Sequence, residues 1–238
     1  MTIVAGAVVT RAPSRRARTV AALIVAVVAA GLVVGVARRF PGTRTDFDHV
    51  WFGARTLLAG GDPYAAVGPG RAFDWAWPLY YPVPALLVLA PLAWLPLVAA
   101  RALFAGLSAG ALAYGATRDG FGRLVLFASG SYMMALTAVQ WSPLLTAAYF
   151  LPALAWVWVA KPNVGAAVVA APLSRRAAIV AAAGAVALGA LSLALAPGWP
   201  RAWLAEMRTA PHFIAPVRHW VGPLLLLAVL RWRRPEAR

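Results

Sequence analysis

Cysteine is absent from the 238-residue chain, and acidic residues are scarce, with seven against 22 bases. Without cysteine, a disulfide framework, a thiolate metal site and a cysteine nucleophile are excluded. Only 12% of the residues are charged and 62% are hydrophobic, whereas soluble domains have about 25% charged and about 45–50% apolar residues. This shortage of charge excludes an ordinary soluble domain and predicts an integral membrane protein.

The formal net charge is +15, a balance that nucleic-acid-binding proteins also show. Lys161 is the single lysine, so almost all of the positive charge is arginine. The arginines stand in short clusters at the ends of apolar runs, where they meet lipid headgroups and follow the positive-inside bias. We therefore expect a lipid bilayer as the partner and no nucleic acid, and we place the chain in the cell membrane as a multi-pass protein.

The apolar runs predict an all-α fold, a polytopic transmembrane bundle with about six to eight hydrophobic segments. The predicted regions are a cytoplasmic basic N-terminus (1–18), a first transmembrane helix (19–37), an outer acidic and aromatic loop with a surface helix (38–80), a transmembrane bundle (81–230) and a cytoplasmic tail (231–238). Within the bundle the apolar segments are 82–98, 102–117, 124–139, 143–160, 177–196 and 221–230, with a half-helix at 163–173 and a second surface helix at 199–213.

Charge counting gives a topology for this bundle. A cytoplasmic N-terminus puts loop 38–80 outside, and the positive-inside bias places Lys161 in the cytoplasm. If 143–160 is one span, Gln140 lies outside, and an even number of spans must separate it from the loop. The segment 82–98 carries four prolines, which suit a regular helix poorly. We expect it to dip into the membrane without crossing, which leaves about six full spans.

The loop 38–80 is the most informative region, because it holds four of the five aspartates, Asp46, Asp48, Asp62 and Asp74. A carboxylate partly shielded from water at a membrane interface has a raised proton affinity and suits a general base. The structural alternative is that Asp46 caps the following amphipathic helix, with Asp48 favourable near the helix N-terminus. Asp62, before a proline, is also an ordinary turn residue. Spacing alone leaves both interpretations open.

Two polar residues of the apolar region are further candidates. Gln140 either serves function or makes a hydrogen bond between helices. Lys161 either binds a lipid phosphate or marks the membrane interface by snorkelling. The three histidines have no metal-ligand spacing, and we predict no metal site. A divalent cation on Asp46 and Asp48 stays an open alternative, because that spacing is common.

The order of motifs resembles a known family, the integral-membrane C-type glycosyltransferases. The resemblance is to the bacterial branch with polyprenyl-phosphate-mannose-dependent mannosyltransferases and their arabinofuranosyltransferase relatives. It runs over roughly residues 20–235 and rests on Thr45-Asp46-Phe47, Val50-Trp51, the run 57–64 that ends in Asp62-Pro63-Tyr64, Tyr80-Tyr81-Pro82 with Pro91 and Leu95-Pro96, Gln140-Trp141-Ser142-Pro143, and Lys161-Pro162.

The resemblance implies an enzyme that moves a sugar, mannose in the first instance, from a polyprenyl-phosphate donor to a glycolipid or glycan acceptor of the cell envelope. Asp46 matches the outer-loop aspartate that acts as general base in an inverting transfer. The expected substrate-binding residues are Asp48, Arg55, Asp62, Tyr64, Arg71, Tyr81, Gln140 and Lys161. Of these, Arg55 and Arg71 are chosen from charge alone, as ligands of the departing phosphate, and Asp62 and Tyr64 are expected to shape the loop.

The chain departs from the family pattern in two places. Val139 stands where the family usually has a glycine before the glutamine, and relatives are normally longer, so a shortened or truncated chain is one expectation. This keeps open an inactive fragment or a non-catalytic membrane subunit of the family. A small-solute transporter is a further alternative, but transporters favour charged residues and broken helices at the bilayer midplane, and the acids here cluster in the loop 38–80.

Overall fold

The computed structural model describes residues 12–169 and 173–210, and over these residues the chain is mostly helical. The α-helices are α1 (Arg15–Arg39), α2 (Asp46–Leu58), α3 (Pro63–Ala66), α4 (Val83–Leu89), α5 (Leu97–Ala116), α6 (Gly130–Thr137), α7 (Ser142–Phe150), α8 (Pro162–Val169), α9 (Arg175–Leu195) and α10 (Trp199–Arg208). Short 3₁₀ segments occupy Ala90–Leu92, Gly122–Ala128 and Pro152–Ala160. Two-residue strands β1 (Val67–Gly68) and β2 (Phe73–Asp74) pair in parallel.

Three described helices, α1, α5 and α9, are long and apolar enough to cross a membrane. Membrane association and an all-α fold therefore agree with the sequence analysis. The predicted first transmembrane helix, 19–37, lies inside α1, and the predicted segments 102–117 and 177–196 correspond to α5 and α9. The predicted segment 221–230, the tail 231–238 and most of the basic N-terminus lie outside the described residues.

The helices α1 and α5 pack closely and run in opposite directions. Gly106 and Gly110 of α5 face α1, where a Cβ atom on Gly106 would lie 3.0 Å from the carbonyl oxygen of Ala26. Small residues at such positions let helix backbones approach one another in lipid. The Arg18 side chain of α1 donates to the Tyr114 carbonyl near the end of α5, whereas the first turns of α5 lie beside α2. We call these two ends of the bundle the Arg18 end and the Asp46 end.

The proline-rich segment 82–98 does not follow α5 through the bundle. It forms the short helix α4 and a 3₁₀ turn, and α5 begins only at Leu97. The indole N–H of Trp51 and the guanidinium of Arg55, both on α2, donate to the carbonyls of Leu92 and Ala93. The 3₁₀ turn of the segment therefore lies beside α2, and the expectation that the segment dips without crossing stays a prediction.

The predicted single span 143–160 is wrong. The chain forms α7, reverses at Leu151, and returns as the 3₁₀ segment Pro152–Ala160. The returning segment packs against α7, with the indole N–H of Trp158 donating to the Leu145 carbonyl at 3.0 Å. Proline cannot continue the α-helical hydrogen bonding, and Pro152 stands at the reversal. As a result, Gln140 and Lys161 lie at the same end of the bundle.

The remaining segments follow the sequence analysis in part. The predicted segment 124–139 is divided between a 3₁₀ segment and α6. The predicted half-helix 163–173 corresponds in part to α8, and the second surface helix to α10; residues 170–172 and 211–213 lie outside the described residues. Helix α10 attaches to the Asp46 end through the indole N–H of Trp203, which donates to the Tyr80 carbonyl at 3.0 Å.

Candidate active site at the Asp46 end

Asp46 is the first residue of α2, and its neighbours hold it in place. The N-cap of α2 is Thr45, so the interpretation of Asp46 as the helix cap is wrong. The backbone N–H of Asp46 donates to the Ala138 carbonyl at 3.0 Å. The side-chain amide of Gln140 donates to Oδ2 of the Asp46 carboxylate. Two points of attachment therefore join Asp46 to the end of α6, far away in the sequence.

The end of α6 has a geometry that presents Gln140 to Asp46. The Val139 N–H donates to the Leu136 carbonyl at 3.1 Å, and the Gln140 N–H donates to the Ala135 carbonyl at 2.8 Å. These two bonds define a Schellman motif, whose turning residue adopts the left-handed conformation and is usually glycine. Val139 takes that place with φ of 48°. A β-branched residue is strained there, and the strained turn directs the chain so that Gln140 reaches the carboxylate.

Lys161 and Tyr81 complete the cluster around Asp46. The Lys161 ammonium lies 5.8 Å from the centre of the Tyr81 ring, and it is close enough to Asp46 for each charge to act on the other. The Tyr81 ring stacks on Trp141, with centroids 6.1 Å apart. Charge counting placed Lys161 on the membrane face opposite Asp46, and this is wrong, because the reversal at Leu151 returns Lys161 to the Asp46 end.

The electrostatics of the cluster suit proton transfer. Burial raises the pKa of Asp46 above its ordinary value; Lys161 opposes this rise and Asp48 adds to it. Burial lowers the pKa of Lys161, while Asp46 acts in the opposite direction. Burial also raises the pKa of Tyr81, with a contribution from Asp46. A carboxylate with raised proton affinity is a better general base than an ordinary aspartate.

Asp48 is separate from this cluster and has a structural environment. Its side chain is completely buried, and its carboxylate accepts hydrogen bonds from the backbone N–H and hydroxyl of Thr45, both at 2.7 Å. The guanidinium of Arg101 on α5 pairs with both oxygens of Asp48 and donates to the Thr43 carbonyl at 3.0 Å. These partners leave the Asp48 carboxylate little capacity for a substrate, and its substrate-binding role stays a prediction.

Asp62 and Tyr64 shape the loop, as expected from the resemblance. Asp62 is the N-cap of α3, and its carboxylate accepts hydrogen bonds from the backbone N–H groups of Tyr64 and Ala65 at 2.8 and 3.3 Å. The Tyr64 hydroxyl donates to the Tyr81 carbonyl at 3.1 Å. Through this bond α3 supports the position of Tyr81 beside Lys161.

The structure does not bring Arg55 and Arg71 to Asp46. The Arg55 guanidinium donates to the Ala93 carbonyl at 3.0 Å and lies 4.9 Å from the Trp51 ring centre. The Arg71 guanidinium donates to the carbonyls of Tyr64 and Val67 and forms an ion pair with Glu206 of α10 at 2.8 Å. Their roles as phosphate ligands stay predictions, and Lys161 is the cation found beside Asp46.

The residues predicted for the site did not include three of its aromatic neighbours, His49, Trp75 and Trp141. His49 lies one turn after Asp46 on α2 and stacks on Trp75, with centroids 5.0 Å apart. Trp141 is fully buried and packs against both Tyr81 and Phe104. The i, i+3 spacing of Asp46 and His49 was a usable signal for His49. Within residues 12–169 and 173–210, no cluster of three or more His, Asp or Glu could hold a metal ion.

An apolar groove is lined by residues that flank Lys161 in the sequence. It has a volume of about 420 Å³ and lies between the 3₁₀ segment Pro152–Ala160, α8 and α9. Trp158 and Pro162 line it on either side of Lys161 in the sequence, and alanines of α9 line the opposite wall. Lys161 itself is not among the residues that line the groove, but its sequence neighbour Pro162 is.

Comparison of the chain with models of protein families, with curated proteins and with solved structures finds no match.

Proposed function

We propose that this protein is a membrane glycosyltransferase that moves a sugar, mannose in the first instance, from a polyprenyl-phosphate donor to a glycolipid or glycan acceptor of the cell envelope. The observation that carries the proposal is the meeting of Asp46, Tyr81, Gln140 and Lys161 at one end of the bundle. These residues come from separate sequence motifs, and each motif resembles a block of the C-type glycosyltransferases. Nothing in their spacing along the chain requires them to meet.

Asp46 is proposed as the general base. Its carboxylate accepts the proton of the acceptor hydroxyl while that oxygen attacks the anomeric carbon of the donor sugar. The bond between the anomeric carbon and the phosphate oxygen breaks, polyprenyl phosphate leaves with the bonding electrons, and the anomeric configuration inverts. The hydrogen bond from Gln140 occupies only one carboxylate oxygen, so the other oxygen is the candidate proton acceptor. The raised pKa of Asp46 supports this role.

Lys161 is proposed to bind the phosphate of the donor. A cation near the leaving oxygen stabilises the negative charge that develops there in the transition state. The groove that Trp158 and Pro162 help to line is apolar, and we propose that it holds the polyprenyl chain attached to that phosphate. A phosphate held by Lys161 would place the sugar near Asp46, as an attack from the acceptor side requires.

The proposed topology places the Asp46 end at the outer face of the cell membrane. The outward position of the Asp46 end is inferred from the positive-inside bias at the Arg18 end, where Arg15, Arg16 and Arg18 stand. The count of about six spans included 143–160 as one span, and the reversal at Leu151 removes that support. Because Lys161 lies near Asp46, this topology places Lys161 at the outer face as well. In this arrangement the reacting groups meet a lipid-linked donor from the bilayer and an acceptor from the aqueous side.

The proposal is tested by transfer of labelled mannose from polyprenyl-phosphate mannose in membranes that contain the full chain. Asp46→Asn keeps the size and hydrogen bonding of the side chain but removes the base, and we expect at least a hundredfold loss of transfer. Asp119→Asn is the matched control, because Asp119 is exposed and pairs only with Arg123 among the described residues. We expect its transfer to equal that of the wild type.

The outcomes separate the proposal from its alternatives. Equal transfer by wild type and Asp46→Asn would show that Asp46 is not the base. No transfer by the wild type, with mannose, galactose or arabinose donors, would instead favour a non-catalytic member of the family. Inside-out and right-side-out vesicles add the orientation, since only one of them exposes the Asp46 end to a membrane-impermeant acceptor.

A further inference from the structure

His49 is a buried polar residue that the proposed reaction does not use. It is 7% exposed, and its Nδ1 is buried without a hydrogen-bond partner among the described residues. A buried polar atom without a partner costs about 1–3 kcal/mol, and such an atom calls for an explanation. His49 lies one helical turn after Asp46, so both side chains belong to the same face of α2.

The imidazole of His49 is neutral near pH 7. Burial lowers its pKa to about 4, and Lys161 adds to the lowering, while Asp48 opposes it. A neutral imidazole has one nitrogen that donates a hydrogen bond and one that accepts. A hydroxyl group also both donates and accepts, so it can pair with either nitrogen of this ring. The chemistry of the unpartnered atom therefore matches an alcohol better than it matches an anion.

The surroundings of His49 suit a ring with hydroxyl groups. Its imidazole stacks on Trp75 with an interplanar angle of 16°, and the Tyr81 ring lies 5.5 Å away. Trp75 and Tyr81 are both partly exposed, unlike His49. Ligand sites commonly combine aromatic walls with a few polar groups that fix the orientation. Here Tyr81 belongs to the cluster around Asp46, and His49 lies one helical turn after Asp46 on α2.

We propose that His49 binds a hydroxyl of a carbohydrate ring that packs against Trp75 and Tyr81, and that these three residues form a sugar subsite beside Asp46. This inference rests on the proposed function, because it assigns the subsite to a substrate of that reaction. The hydroxyl belongs either to the sugar of the donor or to the acceptor glycan. Both have the same chemistry, and the arms of the test distinguish them.

The test measures binding and does not require turnover. The full chain in lipid–detergent micelles is titrated with polyprenyl phosphate, with polyprenyl-phosphate mannose and with a soluble dimannoside, and unfolding by SDS reports the stabilisation that each ligand gives. His49→Phe keeps an aromatic ring against Trp75 but removes both nitrogens. We expect its affinity for one mannose-bearing ligand to fall about tenfold, the loss of a single hydrogen bond, and its affinity for polyprenyl phosphate to stay unchanged.

Three further variants sharpen the test. Tyr132→Phe removes a polar atom from an aromatic ring that packs on Phe127, away from the cluster, and should change no affinity. His49→Gln restores a polar group, so its loss of affinity for the mannose-bearing ligand should be smaller than that of His49→Phe. Asp46→Asn should abolish transfer yet keep the preference for the mannose-bearing lipid, since the subsite is intact.

The outcomes decide between the roles of His49. A loss confined to polyprenyl-phosphate mannose supports the subsite and assigns it to the donor, whereas a loss confined to the dimannoside supports it and assigns it to the acceptor. Unchanged affinity of His49→Phe for both ligands, with stability equal to or above wild type, would overturn the inference while leaving the proposed function standing. Failure of the wild type to bind any of the three ligands would overturn the proposed function itself.

Discussion

The stability of variants at Val139 can test the arrangement of the site, because this residue has an unusual backbone conformation. Its φ of 48° is the one positive value at a non-glycine residue within the described chain. The left-handed conformation costs an L-residue roughly 1–2 kcal/mol relative to glycine. A direct Val139→Gly substitution also deletes a side chain that is only 2% exposed. Its net effect on stability therefore combines the relief of backbone strain with the loss of buried apolar contacts.

A pair of variants separates these contributions. Val139→Ala and Val139→Gly both lose the valine side chain, and they differ in one methyl group and in backbone preference. In ordinary helical backbone, glycine is less stable than alanine by about 0.5–1 kcal/mol. At Val139 the order should reverse, and we expect Val139→Gly to be more stable than Val139→Ala by about 1 kcal/mol. The control is Ala138→Gly at the preceding residue, where φ is −83°, and it should destabilise.

The assay is reversible unfolding by SDS in mixed micelles, with the free energy of unfolding compared among the four chains. Suppose that Val139→Gly is less stable than Val139→Ala, and that the difference equals the destabilisation caused by Ala138→Gly. Residue 139 would then behave like ordinary helical backbone, and the left-handed turn would be absent. The Schellman geometry that presents Gln140 to Asp46 would then be refuted. A reversed order together with a destabilised control would confirm the turn without any activity measurement.

Two further predictions concern charge. Lys161 lowers the pKa of Asp46, so Lys161→Gln should move the acidic limb of the pH–rate profile to higher pH, whereas Lys161→Arg should leave it in place. In the wild type, transfer should rise with pH through the raised pKa of Asp46, because only the carboxylate accepts the proton. Arg101→Met leaves the buried Asp48 unpaired and should lower the free energy of unfolding by about 3–5 kcal/mol. In the double variant Arg101→Met with Asp48→Leu, the free energy of unfolding should fall by only about 1 kcal/mol, the value of a helix cap. SDS unfolding measures the single and the double variant.

The parts of the fold that the sequence predicted are those with long, uninterrupted apolar runs. Helices α1, α5 and α9 followed from composition and length alone, since about 20 apolar residues are needed to cross a membrane. The amphipathic helix after Asp46 followed from its spacing of apolar residues. In these segments one local pattern decides the structure.

The segment 143–160 shows why composition was insufficient. Its length and hydrophobicity fit one span, but the chain reverses at Leu151 and forms two short antiparallel pieces. Pro152 indicated a break in the helix, but the topology derived from the positive-inside bias treated the segment as one span. The error placed Lys161 at the wrong end and hid its relation to Asp46.

The contacts of the candidate site could not be predicted from local patterns. The hydrogen bond from Gln140 to Asp46 joins residues 94 positions apart, and the Arg101–Asp48 pair spans 53 positions. A single sequence contains no pairing signal over such distances. Only the resemblance grouped Asp46, Gln140 and Lys161, and it gave no indication of Arg101 or His49.

The buried pair of Arg101 and Asp48 has a mechanical consequence. Arg101 stands near the start of α5 and also holds the Thr43 carbonyl, so the first turn of α2 is fastened to a helix of membrane-spanning length. Long helices respond to bilayer thickness by changing their tilt. A thinner or thicker bilayer would therefore raise or lower Asp46 together with α5, so lipid chain length would set the depth of the proposed general base.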